Sequence, residues 1–425
     1  MTAGGPVPVR PAEDRDSPAQ YQVRALRVDG EVDTGRLAAA VREVSAALLS
    51  AGPGDGPRLH VPDDLPAGDP ETACVAALLA ERDRRAAGDP LPRNGFHWLR
   101  LAADRHVLGL VAASDLLDIR SVYAVLGAVW QAYFGRFRPS AYRGRADAAG
   151  FDPVGTARAH ESRRRWWSRE FPRYRTGGFG GPDTSGPAGR RRLRIAGDRW
   201  TALTGTSGPL GANGSLTFVA LLAWCLHTRG RPGSSGFGCE FDLRDYFGLG
   251  QVLGPLTDRL AFRVDLDGLA DPAFPDVLMR AQTGFLDSVV HYLPYRQLVE
   301  HGVRTGALTA PRAAELWNVT VHFCRNPPRS VRTRSGETPG PLGVSIELFR
   351  EADLLGPAGG PRAGTDDGVL LDVHLGELGD DMVAVFDYAR PEIPDAAMDR
   401  LLGQLDRAVD HVLGTPAAPL PRAAD

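Results

Sequence analysis

Two short stretches of this 425-residue sequence hold side chains that could move a proton or attack a carbonyl group. Ser114, Asp115 and Asp118 follow an apolar run and precede a helical pattern, so they lie on a predicted loop between a strand and a helix. His322 alternates with apolar residues and therefore lies on the polar face of a predicted strand. Histidine has an ordinary pKa near neutrality, which suits proton transfer. These residue types permit nucleophilic attack or general-base catalysis.

Each of these residues also has a plainer interpretation. Ser114 is either a nucleophile or hydrogen-bond donor, or an inert residue, because a hydroxyl is too weakly basic at neutral pH to accept a proton unaided. Asp115 is a base only if it is desolvated, and is otherwise an exposed loop carboxylate. His322 is either a base or a histidine whose ring is satisfied by hydrogen bonds. We carry Ser114 and His322 forward as the candidate catalytic residues.

The composition excludes several other kinds of site. All 49 basic residues are arginine, so no lysine can form a Schiff base or complete a phosphate-binding loop. The four cysteines form no CxxC pair, and no spacing typical of a zinc site occurs. The glycine-rich stretch 248–254 precedes a strand instead of joining a strand to a helix, which argues against a dinucleotide loop. We therefore expect no bound cofactor and no metal.

Charge and hydropathy limit the partners and the compartment. Arginines are interspersed with aromatic residues over 163–175. This mixture is typical of a surface that binds nucleic acid or an acidic carrier protein. The plainer interpretation is a helix that packs its aromatic face against the lobe and exposes its arginines to solvent. A net charge of −3 argues against nucleic acid and anionic membranes. The first 17 residues lack the apolar core of a signal peptide, and no apolar run reaches the ~18 residues of a membrane span. We expect a cytoplasmic protein.

Hydrophobic patterns predict the elements that position the candidate residues. A strand over 106–113 runs into the Ser114 loop, and an amphipathic helix over 119–133 follows it. His322 lies on a strand over 317–324. Further strands are predicted over 21–28, 96–102, 237–243, 260–266, 344–348, 370–375 and 382–388, with helices after Asp33, Ser215, Asp271 and Pro394.

The domain organisation follows from a glycine- and arginine-rich stretch, 176–194, that interrupts these patterns. We predict a disordered tail over 1–18, an N-terminal lobe over 19–175, a linker over 176–194 and a C-terminal lobe over 195–425. Each lobe combines a sheet with helices packed on it, so the predicted fold class is α+β.

Five segments, in order and over nearly the whole chain, resemble the condensation domains of nonribosomal peptide synthetases. One of them is similar to the strand, loop and helix that carry the family's HHxxxDG signature, and another to its LPLR strand. The segments are 25–49, 106–133, 253–266 with Leu260–Arg263 as the LPLR strand, 291–299 and 372–413.

The resemblance implies two chloramphenicol-acetyltransferase-like lobes forming a V with a central tunnel. Only the aspartate of the signature is kept: Ala113 and Ser114 stand at its two histidines, Asp118 at its aspartate and Ile119 at its glycine. In the family the second histidine contacts the attacking amine or hydroxyl, and the aspartate bonds an arginine to shape the loop. Asp118 is therefore expected to be the structural organiser of the loop, whereas the base is missing and Ile119 replaces a residue that permits a close turn.

Two functions follow from the resemblance. The first is an acyltransferase acting in trans on carrier-bound thioesters in nonribosomal peptide or polyketide biosynthesis, forming an amide or an ester. Its partner is an acyl or peptidyl carrier protein, whose phosphopantetheine arm is the substrate handle, and Asn318, Thr320 and His322 share a face of a tunnel-side strand. The alternative is a non-catalytic module that recruits a tailoring oxygenase or a carrier protein.

Overall fold

The chain folds as two compact units, each assembled from separate segments. The first comprises 1–152, Asp242–Thr257 and Cys324–Gly360, and the second Pro153–Phe241, Asp258–Phe323 and Pro361–Asp425. The structure is a computed structural model, and it describes residues 21–49, 59–61, 69–89, 92–142, 154–174, 188–208, 213–228, 235–269, 271–308, 319–323, 344–349, 354, 371–378, 380–390 and 393–419. The predicted tail over 1–18 lies outside these residues.

Strands and helices are interspersed in both units. The strands are β1 (Tyr21–Asp29), β2 (Leu59–His60), β3 (Asn94–Arg100), β4 (Arg105–Ala113), β5 (Ala188–Ile195), β6 (Ser235–Asp242), β7 (Thr257–Val264), β8 (Val319–Phe323), β9 (Ser345–Leu348), β10 (Leu371–Leu378) and β11 (Asp381–Ala389). The helices are α1 (Thr34–Leu48), α2 (Pro70–Ala86), α3 (Ile119–Tyr133), α4 (Ala157–Glu170), α5 (Gly197–Ser207), α6 (Gly214–Thr228), α7 (Leu243–Phe247), α8 (Phe274–Val290), α9 (Tyr295–Arg304) and α10 (Asp395–Gly414). Within the described residues, no helix has both the length and the apolar character that a membrane span requires.

The first unit is built on a five-stranded sheet with the order β2-β3-β4-β1-β9. Only β2 and β3 are parallel. Side chains alternate across β4, so Leu108 and Leu110 pack with α1 and α3, while Val107 and Val111 pack with α2. Helices cover both faces of β4, so almost all of its residues are apolar. Its last residue, Ala113, leads directly into the Ser114 loop.

The second unit is built on a six-stranded sheet with the order β5-β11-β10-β8-β6-β7. Strands β5, β11 and β10 are antiparallel, whereas β10, β8 and β6 are parallel. Helices α6, α8 and α10 contribute to the apolar core with the sheet, and α6 is buried on nearly every side, as its sequence predicts. The two sheet-and-helix units confirm the α+β class, and the predicted helix over 119–133 has the observed bounds of α3.

The domain bounds differ from the prediction in two ways. Ala188–Ile195, placed mostly in the linker, is strand β5, which pairs with β11 along its whole length. Only in its second half do apolar residues, Leu193 and Ile195, alternate with arginines and pack into the core. The remainder of the predicted linker, 176–187, lies outside the described residues. In addition, α4 belongs to the second unit, and Asp242–Thr257 belongs to the first. The prediction of two contiguous lobes is therefore too simple, because each unit contains segments from both sides of the predicted boundary.

Two predicted helix caps are also corrected. The carboxamide of Asn213, not the hydroxyl of Ser215, caps α6 by accepting a hydrogen bond from the Leu216 amide at 3.0 Å. Helix α8 begins after Ala273 instead of after Asp271, and the Asp276 carboxylate accepts from the Ala273 amide at 3.2 Å. By contrast, Asp33 caps α1 as expected.

Gly284 of α8 lies against the backbone of Arg263 in β7, and replacing it with alanine should destabilise the protein. A Cβ atom there would lie 1.9 Å from the carbonyl oxygen of Arg263, so the helix must move away from the strand. We expect Gly284→Ala to lower the free energy of unfolding by about 1–3 kcal/mol. Gly403, in α10, is the matched control, because a Cβ there meets its first atom only at 3.6 Å. Gly403→Ala should stabilise by up to ~1 kcal/mol. Chemical denaturation that ranks the two variants the other way would contradict this account.

Candidate functional site

Asp118 begins helix α3 and is buried, with 8% of its surface exposed. Its Oδ1 accepts a hydrogen bond from the Ser121 amide at 2.9 Å, which caps the helix. Its Oδ2 accepts from the Leu256 amide at 2.9 Å and from the Thr257 hydroxyl at 3.2 Å. The carboxylate therefore joins the start of α3 to the segment 242–257 within the first unit.

Arg244, in α7, is the arginine that pairs with Asp118. Its Nη1 donates to Asp118 Oδ2 at 2.8 Å and its Nη2 to Oδ1 at 3.2 Å, which is a bidentate pair. The same guanidinium donates to the carbonyls of Val252 and Gly254 and to the Ser121 hydroxyl. Only 2% of the Arg244 side chain is exposed. With this many donors on it, the Asp118 carboxylate has a structural role in the loop.

The loop itself supplies no base at the signature positions. Ala113 is fully buried at the end of β4, and Ser114 is half-buried in the turn that follows. Asp115 forms an ion pair with Arg93, and this hydrogen bond raises the pKa of the arginine. Ile119 is the first residue of α3, so it has a right-handed helical backbone and needs no glycine-like freedom. Isoleucine therefore fits this position although the family's signature has a glycine there.

His322 lies on β8 of the second unit, and carboxylates approach both of its ring nitrogens. Glu240 Oε1, on β6, lies 3.0 Å from Nδ1, and Asp372 Oδ1, on β10, lies 2.6 Å from Nε2. The ring stacks on that of His374 at 4.3 Å between centroids. Neither nitrogen is left open to an incoming substrate.

The charges of this group follow from that arrangement. Burial lowers the pKa of His322, but Asp372 and Glu240 outweigh burial and raise it to about 10. Burial raises the pKa of Asp372, but the two histidines outweigh it and hold the pKa well below its ordinary value. The two carboxylates therefore favour the protonated form of His322, which argues against the ordinary pKa near neutrality that the sequence suggested.

The candidate residues thus fall into two groups. Ser114 and Asp118 belong to the first unit and His322 to the second. Asn318 and Cys324 lie outside the described residues. Four residues of these two groups were not predicted from the sequence: Arg244, Glu240, Asp372 and His374. Asp372 and His374 alternate with the apolar residues of β10, which is a usable signal, whereas only the folded structure brings Arg244 to Asp118.

The arginine–aromatic stretch packs within the second unit. Trp167 donates its ring N–H to the His291 carbonyl at 2.9 Å, and Trp166 stacks on the His291 ring at 4.4 Å. Arg163 donates to the Tyr292 carbonyl at 2.8 Å. Among the described residues, His291 and one face of α4 therefore have packing roles, which is the plainer of the two predicted interpretations.

Comparison with solved structures identifies the family to which the chain is similar. The chain is 41% identical to the tallysomycin biosynthesis protein TlmII, with 96% of each chain covered and a TM-score of 0.77. It matches the first condensation domain of the calcium-dependent antibiotic synthetase with a TM-score of 0.68 and 18% identity, over 96% of this chain and 94% of that one. The chain belongs to the condensation-domain family. The predicted resemblance to these domains is confirmed.

A more distant relationship within the same fold involves a domain of another kind. The X-domain in the complex of the X-domain and OxyB from teicoplanin biosynthesis is 19% identical, with a TM-score of 0.55 over 100% of this chain and 98% of that one. No protein-family model and no curated protein matches the chain. Condensation-domain architecture is thus common to structures whose sequences have diverged widely.

Proposed function

We propose that this condensation-family protein acts in antibiotic biosynthesis, in trans, on acyl thioesters held by a carrier protein, and forms an amide or an ester. The observation that carries the proposal is the buried Asp118–Arg244 pair, which holds the loop at the end of β4 although the loop has lost both signature histidines. A buried ion pair is costly unless its geometry is complete, and the bidentate geometry here supports a loop that is held in one fixed shape. The similarity to TlmII supports the biosynthetic setting.

The chemistry requires little of the protein beyond positioning. A neutral amine attacks the thioester carbonyl carbon, the tetrahedral intermediate collapses, and the C–S bond breaks. The leaving phosphopantetheine thiolate then takes the proton that the ammonium nitrogen loses. Because thioesters are activated, orientation alone supplies much of the rate. A missing general base lowers the rate by typically ~10²–10⁴-fold, so we expect slow turnover.

A second function, recruitment without catalysis, is favoured by one observation. Ala113 and Ser114 occupy the signature histidine positions, and neither can take a proton at neutral pH. The X-domain was solved in complex with OxyB, so a domain of this fold forms a complex with a second protein. In this alternative, the chain binds a loaded carrier protein and a tailoring oxygenase and leaves the thioester intact.

The two functions separate in one assay. The carrier protein encoded nearest to this gene is loaded with an aminoacyl phosphopantetheine, and mass spectrometry follows loss of the acyl group to a panel of amines and alcohols. Transfer faster than in protein-free controls supports the acyltransferase, and Ser114→Ala should then change the rate only slightly. Binding of the loaded carrier without transfer supports recruitment. Absence of both binding and transfer contradicts both functions.

A further inference from the structure

We infer that His322, Asp372 and His374 form a binding site for one divalent cation of the zinc class, which goes beyond the proposed function. His322 is far from Asp372 and His374 along the chain, so the sequence shows no complete metal motif. Strand register brings them together: β8 and β10 are parallel, His322 lies opposite His374, and Asp372 lies two residues before His374 on the same face. Within the described residues, these three form the one group of at least three histidine, cysteine or carboxylate side chains that lie close enough together to hold a metal ion.

The donor atoms are already close to the separation that a metal imposes. One carboxylate lies between the two imidazoles, with Asp372 Oδ1 2.6 Å from His322 Nε2 and Oδ2 3.2 Å from His374 Nε2. All three donor atoms lie within 4.8 Å of one another. Zinc–nitrogen bonds of about 2.0–2.1 Å in a tetrahedron place donors about 3.3 Å apart. The two rings stack at an interplanar angle of 10°, so at least one of them must rotate for both Nε2 atoms to face one ion.

A partner for the far side of one ligand is also present. Glu240 Oε1 lies 3.0 Å from His322 Nδ1, on the side of the ring away from Asp372. Histidines that bind metals nearly always donate their other ring N–H to a carboxylate or carbonyl, which leaves the opposite nitrogen to face the metal. Glu240 is therefore placed to favour Nε2 of His322 as the ligand atom, once a small rotation gives its contact with Nδ1 hydrogen-bond geometry.

Unsatisfied buried atoms provide a second, independent observation. Thr320 and Asp372 are each only 3% exposed, and Thr320 Oγ1 and Asp372 Oδ1 lack a hydrogen bond of acceptable geometry. Thr320 is the register partner of Asp372, so both atoms border the same place on the sheet. Buried polar atoms are nearly always hydrogen-bonded, so an unpaired one indicates a missing partner. A cation bound to Asp372, with a water completing its coordination, would satisfy both.

The ligand chemistry narrows the choice of metal. Two imidazoles and one carboxylate suit zinc and neighbouring divalent transition metals, whereas magnesium and calcium prefer oxygen donors alone. The neighbouring buried carboxylate, Asp387 on β11, is neutralised by its bidentate pair with Arg190, so Asp372 and Glu240 supply the negative charge that faces the site. The competing arrangement is a metal-free cluster in which these carboxylates pair only with the histidines.

Zinc binding to the tag-free, chelator-treated protein distinguishes these arrangements. Titration of Zn²⁺ at pH 7.5 against a chromophoric chelator should give one equivalent bound, and Zn²⁺ but not Mg²⁺ should raise the melting temperature. His374→Gln should weaken zinc binding by more than ~100-fold, and Glu240→Gln by ~10–100-fold. His227→Gln is the matched control: this histidine belongs to the same unit, lies 3.1 Å from the Leu269 carbonyl, and is outside the cluster. Its replacement should leave the affinity unchanged.

Several results would overturn the inference. These are no stoichiometric zinc, equal affinity in wild type and His374→Gln, or equal stabilisation by Mg²⁺ and Zn²⁺. Circular dichroism checks that each variant is folded, and Asp372→Asn replaces His374→Gln if the latter is not. Because these readouts need no carrier protein and no turnover, failure of the metal site and failure of acyl transfer are distinguishable.

Discussion

Replacing Asp118 with alanine should lower the free energy of unfolding by about 3–5 kcal/mol, because it removes one partner of a buried ion pair. The change leaves the Arg244 guanidinium without its bidentate acceptor, and it deprives the Leu256 amide and the Thr257 hydroxyl of theirs. It also removes the cap of α3. Denaturant unfolding of the purified variant measures the loss.

Asp33 provides the matched control for this substitution. It caps α1 in the same way, with Oδ1 accepting from the Arg36 amide at 3.0 Å, but it is exposed. Asp33→Ala should therefore cost only ~1 kcal/mol. Arg244→Ala should resemble Asp118→Ala, and the double variant should cost less than the sum of the two single variants. Equal losses for Asp33→Ala and Asp118→Ala would show that the buried pair contributes nothing beyond a cap.

Introducing a histidine at Ser114 should raise acyl-transfer turnover by ~10²-fold or more, because it supplies the general base that the loop lacks. The position lies in a half-buried turn immediately after β4, and the loop around it is held by the Asp118–Arg244 pair. The ordinary pKa of imidazole is near neutrality, so the introduced side chain should accept the proton that an attacking amine or hydroxyl loses. Single-turnover kinetics with the loaded carrier protein measure the gain.

Ser114→Gln separates base catalysis from a change in size. Glutamine is similar in bulk to histidine and forms hydrogen bonds, but it does not titrate near neutrality. It should therefore leave turnover near that of the wild type. The gain with histidine should also fall as the pH is lowered below the imidazole pKa. Equal effects of the two substitutions, or no effect of either, would exclude a base at this position as the missing element.

Local signals predicted the fold well where one element carries its own pattern. Helix α3 shows apolar residues at helical spacing and has the predicted bounds, and α6 is so apolar that burial is the only outcome. Nothing in the sequence indicated that α4 belongs to the second unit, because the helix is strongly polar and only Trp167 of its residues is buried. Strand β5 resembled a linker because its arginines obscured a period of two.

The candidate site was predictable only in part, since its partners come from distant segments. Asp118 could be recognised as a loop organiser from the family signature, but Arg244 is 126 residues away and carries no local mark. His322 could be placed on the polar face of a strand. Its pKa could not be predicted, because Glu240 and Asp372 meet it only through the parallel register of β6, β8 and β10.

The discontinuous first unit also sets the order of events during synthesis of the protein. Asp118 leaves the ribosome 126 residues before Arg244, which at ordinary elongation rates is a wait of roughly 6–25 s. Strand β9, which closes the outer edge of β1, is made later still. Until then the nascent chain exposes an unpaired strand edge and a carboxylate without its counter-ion. A truncated protein that ends at Asp152 would remain in this incompletely paired state. Chaperones should therefore associate with it far longer than with the full-length protein.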